Sequence, residues 1–507
     1  MFAVLIGAIL LGYPVAFSIA GVAAGFALLG AALGQFDLSL MGALGQRVFG
    51  LITNEVLIAI PLFVFMGVVL EKSRIAEDLL QTMGALFGRL RGGLGISVVL
   101  VGALLAASTG IVGATVVAMG LIALPAMLAN GYDRRLACGT VCTAGTLGQI
   151  IPPSTLLIIL SDVMSNAYQQ AQFAEGKFTI ETISVGQIFA AALLPGLMLV
   201  ALYIAYIAVR AWLRPGDAPP VGAGQSPGLG RVLRAVAPPI LLIVAVLGAI
   251  LGGVATPTEA ASVGAVGAVL LAGMHLGGRA WPMVLGMGAL LILAVAAGIA
   301  PVRLQRSDTG TAELVQGGLY AVLALGGLAA VALALVRAER ASLLRPALTQ
   351  TMTITAMIFT TILTASVFSL VFVGLGGEDR IAEILTAMPG GAAGALLFSM
   401  ALIFVLGFFL DFVEITVILL PLMVPALILM GHDPVMLSVL IAINLQTSFL
   451  TPPFGFSLFY LRGVAPKTIA TGEIYAGVLP FILLQAIGIG LVWLWPALAT
   501  WAPRAML

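Results

Sequence analysis

Apolar runs about 20 residues long, the length that crosses a hydrocarbon layer as a helix, recur from Val4 to the C-terminus with few charges inside them. Nothing else in the chain narrows its possible folds as much. Within a bilayer every backbone N–H and C=O must find its partner inside the protein, so only helices and closed barrels span it. Runs this long and this uniformly apolar select helices. The composition agrees: 61% of the 507 residues are hydrophobic and 8% are charged, against about 25% charged in an ordinary soluble domain. The first run, MFAVLIGAILLGYPVAFSIAGVAAGFALLG, has no basic start and no cleavage site before a soluble domain, so it reads as a retained helix. A formal net charge of +1 leaves no basic stripe for nucleic acid. Cys138 and Cys142, one helical turn apart with no histidine near, read as small buried thiols and not as a disulfide or metal site.

Spans read near 4–30, 51–70, 135–160, 185–209, 236–253, 261–275, 281–300, 317–336, 346–374, 435–460 and 475–500, with re-entrant segments near 93–129 and 390–430. With the N-terminus inside and the C-terminus outside, this threading of eleven crossings puts 16 of the 22 Lys and Arg on the cytoplasmic side, as the positive-inside rule requires. The other six are Arg47, Lys177, Arg303, Arg306, Arg380 and Arg504. Loop 210–234, with RPGDAPPVGAGQSPG at its centre, reads as a linker between two halves. The amphipathic stretch SRIAEDLLQTMGALFGRLRGG at 73–93 reads as a helix lying in the interface. Glu259 in ATPTEAAS reads as a helix cap, and neither His275 nor His432 has a partner that suggests catalysis.

The halves are related. Pro152 and Pro153 recur as Pro452 and Pro453, an offset of 300, and the same offset carries Pro125, Gly131 and Asp133 onto Pro425, Gly431 and Asp433. RIAE at 74–77 recurs at 380–383, an offset of 306, which implies a six-residue slip between arm and hairpin. In the threading above the two copies have opposite topology, the inverted-repeat plan of secondary transporters. A proline pair removes two donors and clashes with the preceding turn. Such a break is tolerated at membrane depth only where it lines a cavity or is buried in protein.

The breaks are built of small polar residues: CTAGTLGQIIPPS before the first pair and NLQTSFLTPPFG around the second. A desolvated Na+ takes about five or six hard oxygens, which unwound carbonyls and hydroxyls supply without burying net charge. Thr143, Gly145, Thr146 and Gly148 suit one site, and Asn444, Gln446, Thr447, Ser448 and Thr451 the other. The re-entrant segments have polar tips too: Ser108, Thr109, Gly110 and Gly113 in the first, Asp411 and Glu414 in the second. Asp411 reads as an ion ligand, a proton carrier or an acceptor that holds the tip, and Glu414 as a functional carboxylate or only its capping neighbour. Half-helix N-termini converging on the centre favour an organic anion as substrate.

GALLAASTGIVGATVVAMGLIALPAMLANGYDRRLACGTVCTAGTLGQIIPPS, NLQTSFLTPPFGFSLFYLRGVAP and PTEAAS together resemble the large membrane subunit of tripartite ATP-independent periplasmic (TRAP) transporters, over nearly the whole chain apart from 276–340. LGFFLDFVEI resembles the branch associated with 2-oxo acids, lactate, mannitol-type or chloroaromatic acids. The resemblance implies an all-α polytopic inner-membrane protein, an inverted repeat with two re-entrant hairpins and two discontinuous helices, working as a Na+-driven elevator importer of an organic acid. It implies two partners, a small membrane subunit and a periplasmic substrate-binding protein. It implies two Na+ sites, one between Ser108, Gly110, Gly113 and Gly145, Thr146, Gly148, Pro152, the other between Gly407, Asp411 and Gln446, Thr447, Ser448, Pro453. Ser108, Thr109, Ser154 and Thr451 are the expected substrate contacts.

The expected layout is scaffold 1–70, arm 71–91, transport repeat 92–170, scaffold and linker 171–275, an extra helical pair 276–340, scaffold and second arm 341–389, second transport repeat 390–463 and a C-terminal helix 464–507. The competing readings are a proton-coupled organic anion transporter, a passive channel with uncoupled flux, and an intramembrane hydrolase, which lacks a second Asp facing Asp411. No GxxxxGK[ST] lies near any lysine, so the chain carries no such ATP-driven motor.

Overall fold

The computed structural model describes residues 1–110, 112–221, 228–302 and 311–506, without the side chains of Ala106, Ser108, Thr109 and Leu229. The linker residues 222–227, Arg303 and Arg306 lie outside it. The described residues are helical, with no strand among them. The span expected at 4–30 is two helices, α1 (Phe2–Leu10) and α2 (Val15–Ala32). Gly12 takes a left-handed φ of +87° and Pro14, at the N-cap of α2, cannot donate to α1, so the chain turns between them. After a short 3-10 helix at Leu38–Ala43 come α3 (Leu44–Ile52) and α4 (Glu55–Lys72), which meet at a bend of 53°. Asn54 caps α4, accepting from Val56 N–H at 3.0 Å.

Then follow the arm α5 (Ile75–Phe87), a first hairpin of α6 (Gly93–Thr109) and α7 (Val112–Ala129), and a first broken helix of α8 (Arg134–Thr146) and α9 (Thr155–Ala174). The expected crossing 135–160 stops short of the end of α9. Helix-forming Ala and Gln extend α9 past the apolar run, and the Gln172 amide ties it to Glu181 through both donor and acceptor at 2.9 Å. Beyond it lie α10 (Val185–Leu213), α11 (Leu229–Leu251), α12 (Pro257–His275), the extra pair α13 (Trp281–Ile299) and α14 (Thr311–Arg340), α15 (Leu344–Gly374) and the second arm α16 (Gly377–Thr386). As read from the sequence, Glu259 completes a capping box with Thr256. The second hairpin is α17 (Gly391–Leu406) and a return arm of α18 (Phe412–Glu414), a π-helical stretch Ile415–Leu419 and α19 (Leu420–Leu429). The second broken helix is α20 (Pro434–Leu450) and α21 (Phe456–Val464), followed by α22 (Thr471–Leu494) and α23 (Ala497–Met506).

The repeat is visible residue by residue. Gly131 and Gly431 both take positive φ, at +78° and +96°. Asp133 and Asp433 are both N-caps, accepting from Leu136 N–H at 3.0 Å and Met436 N–H at 2.8 Å. Pro152–Pro153 and Pro452–Pro453 are both cis. The hairpins enter from opposite ends of α10. At its C-terminal end Asp133 N–H donates to Asp217 O at 2.9 Å and Gly92 N–H to Ala218 O at 3.0 Å, fixing the base of the first hairpin. At its N-terminal end α9 reaches the second arm, where Gln170 meets Glu378, and His432 contacts Ala392 O at 2.9 Å across the base of the second hairpin.

Two sets of helices pack among themselves. One is α4 with α12 and α15, α2 on α15, and α11 and α14 on α12. The other joins α6, α7, α8, α20, α21 and α22, with α10 and α23 against them. The residues expected as scaffold and linker at 171–275 pack in two ways: α10 lies on α6, α20 and α22, while α11 lies on α12, which packs on α4. Where one C-terminal helix is expected at 464–507 the chain forms two, α22 and α23, and α22 crosses α8 where Gly139 meets Gly477. A Cβ on Gly139 would lie 2.1 Å from Gly477 O, so only glycine permits this approach. The extra pair closes on itself where Gly286 of α13 meets Ala330 of α14, and it sits on α12 where Gly273 meets Ala334. The described residues hold ten helices long and apolar enough to span, among them α7 and the arm 412–429, which are hairpin arms, not crossings.

Candidate transport site at two helix breaks

At the first break α8 ends in a 3-10 turn, Leu147–Gln149, and helix resumes at Thr155. Pro152, Pro153 and Ser154 are buried. The Ser154 hydroxyl donates to Gln149 O at 3.0 Å. The Thr155 hydroxyl donates to Gly110 O at 2.8 Å, so the first residue of α9 holds the tip of the first hairpin. Gly110 has φ +60°, and a Cβ there would stand 2.9 Å from Thr155 N. Gly145 lets α7 close in: its Cβ would lie 2.3 Å from a Val116 methyl. The hydroxyl of Thr146 donates to Thr143 O at 2.9 Å. Gly148 is buried within the 3-10 turn. Ser108 and Thr109 end α6, and their side chains lie outside the described residues. Gly113 does not face the break; it lies under the ring of Tyr460 on α21, where a Cβ would come within 2.8 Å.

The second break, Thr451–Gly455, is more open, with Pro452 half-buried and Pro453 exposed. Tyr475 donates to Pro453 O at 3.0 Å. Gly407, at the tip of the second hairpin, touches Ser448: a Cβ would lie 2.1 Å from its Oγ. The hydroxyls of Thr447, Ser448 and Thr451 donate to Ile443 O, Leu445 O and Thr447 O at 2.7, 2.8 and 2.7 Å. Asn444 donates to Met400 O at 2.8 Å, pinning α20 to α17. Asp411 is the N-cap of the return arm, accepting from Phe412 N–H at 2.8 Å while Glu414 accepts from Asp411 N–H. Of the roles open to Asp411 in the sequence, the geometry displays the tip-holding acceptor. Phe409 meets Phe454 at 5.6 Å and Phe412 meets Phe449 at 6.4 Å, an aromatic contact between tip and break. The other tip has no aromatic residue.

The breaks meet at the repeat axis. Gln446 Nε2 donates to Thr146 Oγ1 at 3.3 Å, and these residues are 300 apart, so equivalent positions touch. Gln446 thus points across the axis instead of toward the Gly407 tip. Tyr203 OH receives Gln485 Nε2 at 2.9 Å and Gln446 Nε2 at 3.5 Å. Thr143 Oγ1, Gln446 Oε1 and Gln485 Oε1 are buried without a partner among the described residues, as are both amide atoms of Gln149.

The hydroxyls of Thr146, Ser154, Thr155, Thr447, Ser448 and Thr451 each spend their proton on a backbone carbonyl, which leaves their oxygen lone pairs to accept or coordinate. The last carbonyls of α8 and α20 lack intrahelical donors and carry the negative end of the helix dipole. Each break therefore offers oxygen to a cation on its entering side and N–H groups to an anion on its leaving side. Thr155, Tyr203 and Gln485 were not singled out in the sequence. Gln485 had a signal, a lone amide within the otherwise apolar run VLPFILLQAIGIGLVWL. Thr155 had none beyond adjacency to Ser154.

Over residues 2–498 the chain matches a family model described as "Tripartite ATP-independent periplasmic transporter, DctM component". It is similar to the C4-dicarboxylate TRAP transporter large permease protein DctM of Vibrio cholerae, at 27% identity over 100% of this chain and 97% of the relative. It is also similar to the ectoine TRAP transporter large permease protein TeaC of Halomonas elongata, at 25% identity over 98% and 97%, and to the sialic acid TRAP transporter large permease protein SiaM of Vibrio cholerae, at 24% over 99% and 97%. Among solved structures, the Alcanivorax borkumensis YdaH transporter shares the fold with a TM-score of 0.55 at 17% identity, over 92% of this chain and 89% of that one.

Proposed function

The chain belongs to the DctM family, the large permease subunits of tripartite ATP-independent periplasmic transporters, and from that premise we propose that it imports an organic acid across the bacterial inner membrane on a sodium gradient. The observation that carries this reading is the pair of oxygen-rich breaks facing each other through Thr146 and Gln446. Neutral hydroxyls and carbonyls suit Na+, which needs no buried counter-charge. Two of the relatives named above are named for acids, a C4-dicarboxylate and sialic acid, and the half-helix N-termini of α9 and α21 suit a carboxylate. One Na+ site draws on Gly110, Gly145, Thr146, Gly148 and Pro152. The other draws on Gly407, Asp411, Thr447, Ser448 and Pro453, with Gln446 bridging the two, and Ser154 and Thr451 border the substrate. The set containing α6–α10 and α17–α23 moves as an elevator against the set built on α4, α12 and α15. A small membrane subunit and a periplasmic binding protein complete the system, and the binding protein selects the acid.

The test is uptake into proteoliposomes holding both membrane subunits, with a binding protein loaded with candidate acids. Uptake should collapse when the inward Na+ gradient is replaced by K+, and at low substrate it should require the binding protein. Undiminished uptake in K+ refutes sodium coupling. A response to pH alone makes Asp411 a proton carrier, and saturable uptake without the binding protein refutes the tripartite reading.

A further inference from the structure

Beside the arm, α5, the start of α11 and the end of α12 enclose a cavity of about 730 Å³. Its floor is apolar, with Ile75, Pro238, Leu271 and Met274, and its rim carries Arg231 and Arg234. These arginines stand three residues apart on one face of α11. Both are exposed, and neither guanidinium meets a carboxylate or carbonyl among the described residues. Arg337, on α14, differs, donating to Gly273 O at 2.9 Å and Arg279 O at 3.1 Å. The acid on the rim, Asp78, is occupied by His275 at 3.0 Å. Down one stripe of α11 the residues run Arg231, Arg234, Pro238 and Leu242, from charge to a buried apolar contact over about 16 Å. That gradient matches a phospholipid standing in the basic, cytoplasmic leaflet.

We propose that this groove is a binding site for an anionic phospholipid, its phosphate on Arg231 and Arg234 and an acyl chain along the floor beneath α5. The site owes nothing to the sodium reading. The delipidated complex of both membrane subunits should bind phosphatidylglycerol, followed by native mass spectrometry and thermal stabilisation, at least tenfold more tightly than phosphatidylcholine. Arg231→Ala with Arg234→Ala should weaken binding about thirtyfold, the product of two contacts to an anionic headgroup, whereas Arg231→Lys with Arg234→Lys should keep most of it. Ala235→Trp, which fills the groove without altering charge, should also abolish it. Equal binding of both lipids, no response to the double alanine change, or saturation by inorganic phosphate alone overturns the proposal. So does binding by the large subunit alone that is lost in the complex with the small subunit, which would make the groove a subunit interface.

Discussion

Glycines at the hairpin tips are where a single methyl has the largest expected effect. Gly110 combines a left-handed φ of +60° with backbone contact to Thr155, and Gly407 leaves no room beside Ser448. Gly110→Ala costs about 1 kcal/mol from its backbone conformation alone, and it also pushes the tip off the break. Thr155→Val keeps the shape and removes the hydrogen bond to Gly110 O, worth about 1 kcal/mol. If the tip must dock for transport, initial uptake falls about fivefold in Thr155→Val and more steeply in Gly110→Ala, at unchanged amounts of folded protein. Wild-type uptake in both variants would show that the tip contact is incidental.

Among the helices, the crossing of α8 and α22 depends on backbone approaching backbone at Gly139 and Gly477. A Cβ on Gly477 would stand 2.1 Å from Arg135 O, and backbone cannot swing away as a side chain can. Gly477→Ala should therefore cost about 3 kcal/mol and lower the thermal midpoint by several degrees in detergent. Gly490→Ala on the same helix, with nothing within 4 Å, is the control and should leave it unchanged. Equal midpoints for the two variants would mean that the helices can slide apart at no cost. The extra pair α13 and α14 meets α12 by similar small-residue packing at Gly273 and Ala334, and most of its apolar surface is exposed, with 11% of α13 and 17% of α14 buried over their most apolar stretches.

At the scale of the molecule, the two helix sets meet where α4 packs on α6 and α9, α15 on the return arm of the second hairpin, and α11 on α6 and α10. Between α4 and α9, Asn54 Nδ2 donates to Asp162 Oδ1 at 2.9 Å. Relative motion of the sets must break this contact. Asn54→Cys with Asp162→Cys, bridged by Hg2+, should block uptake reversibly, and a reducing thiol should restore it. The chain's own thiols, Cys138 and Cys142, are buried and leave a low background. Full uptake in the bridged protein would show that the sets move as one body.

The membrane, the helices, the duplication at an offset of 300, the two breaks and the matched caps at Asp133 and Asp433 were all determined by the sequence. They could be, because backbone satisfaction in hydrocarbon, the missing proline donor and capping are local chemistry that acts wherever the residues stand. Only the tertiary structure decided that Gln446 crosses the axis to Thr146, that Thr155 holds Gly110, that Gly113 lies under Tyr460, and that α10 leaves its neighbours to join α6 and α20. Lipid is as apolar as the protein interior, so helices such as α6 and α17 carry no polar face to mark which side turns inward. Which faces meet is then set by close approach at small residues and by a few buried amides, whose partners come from elements distant in the chain.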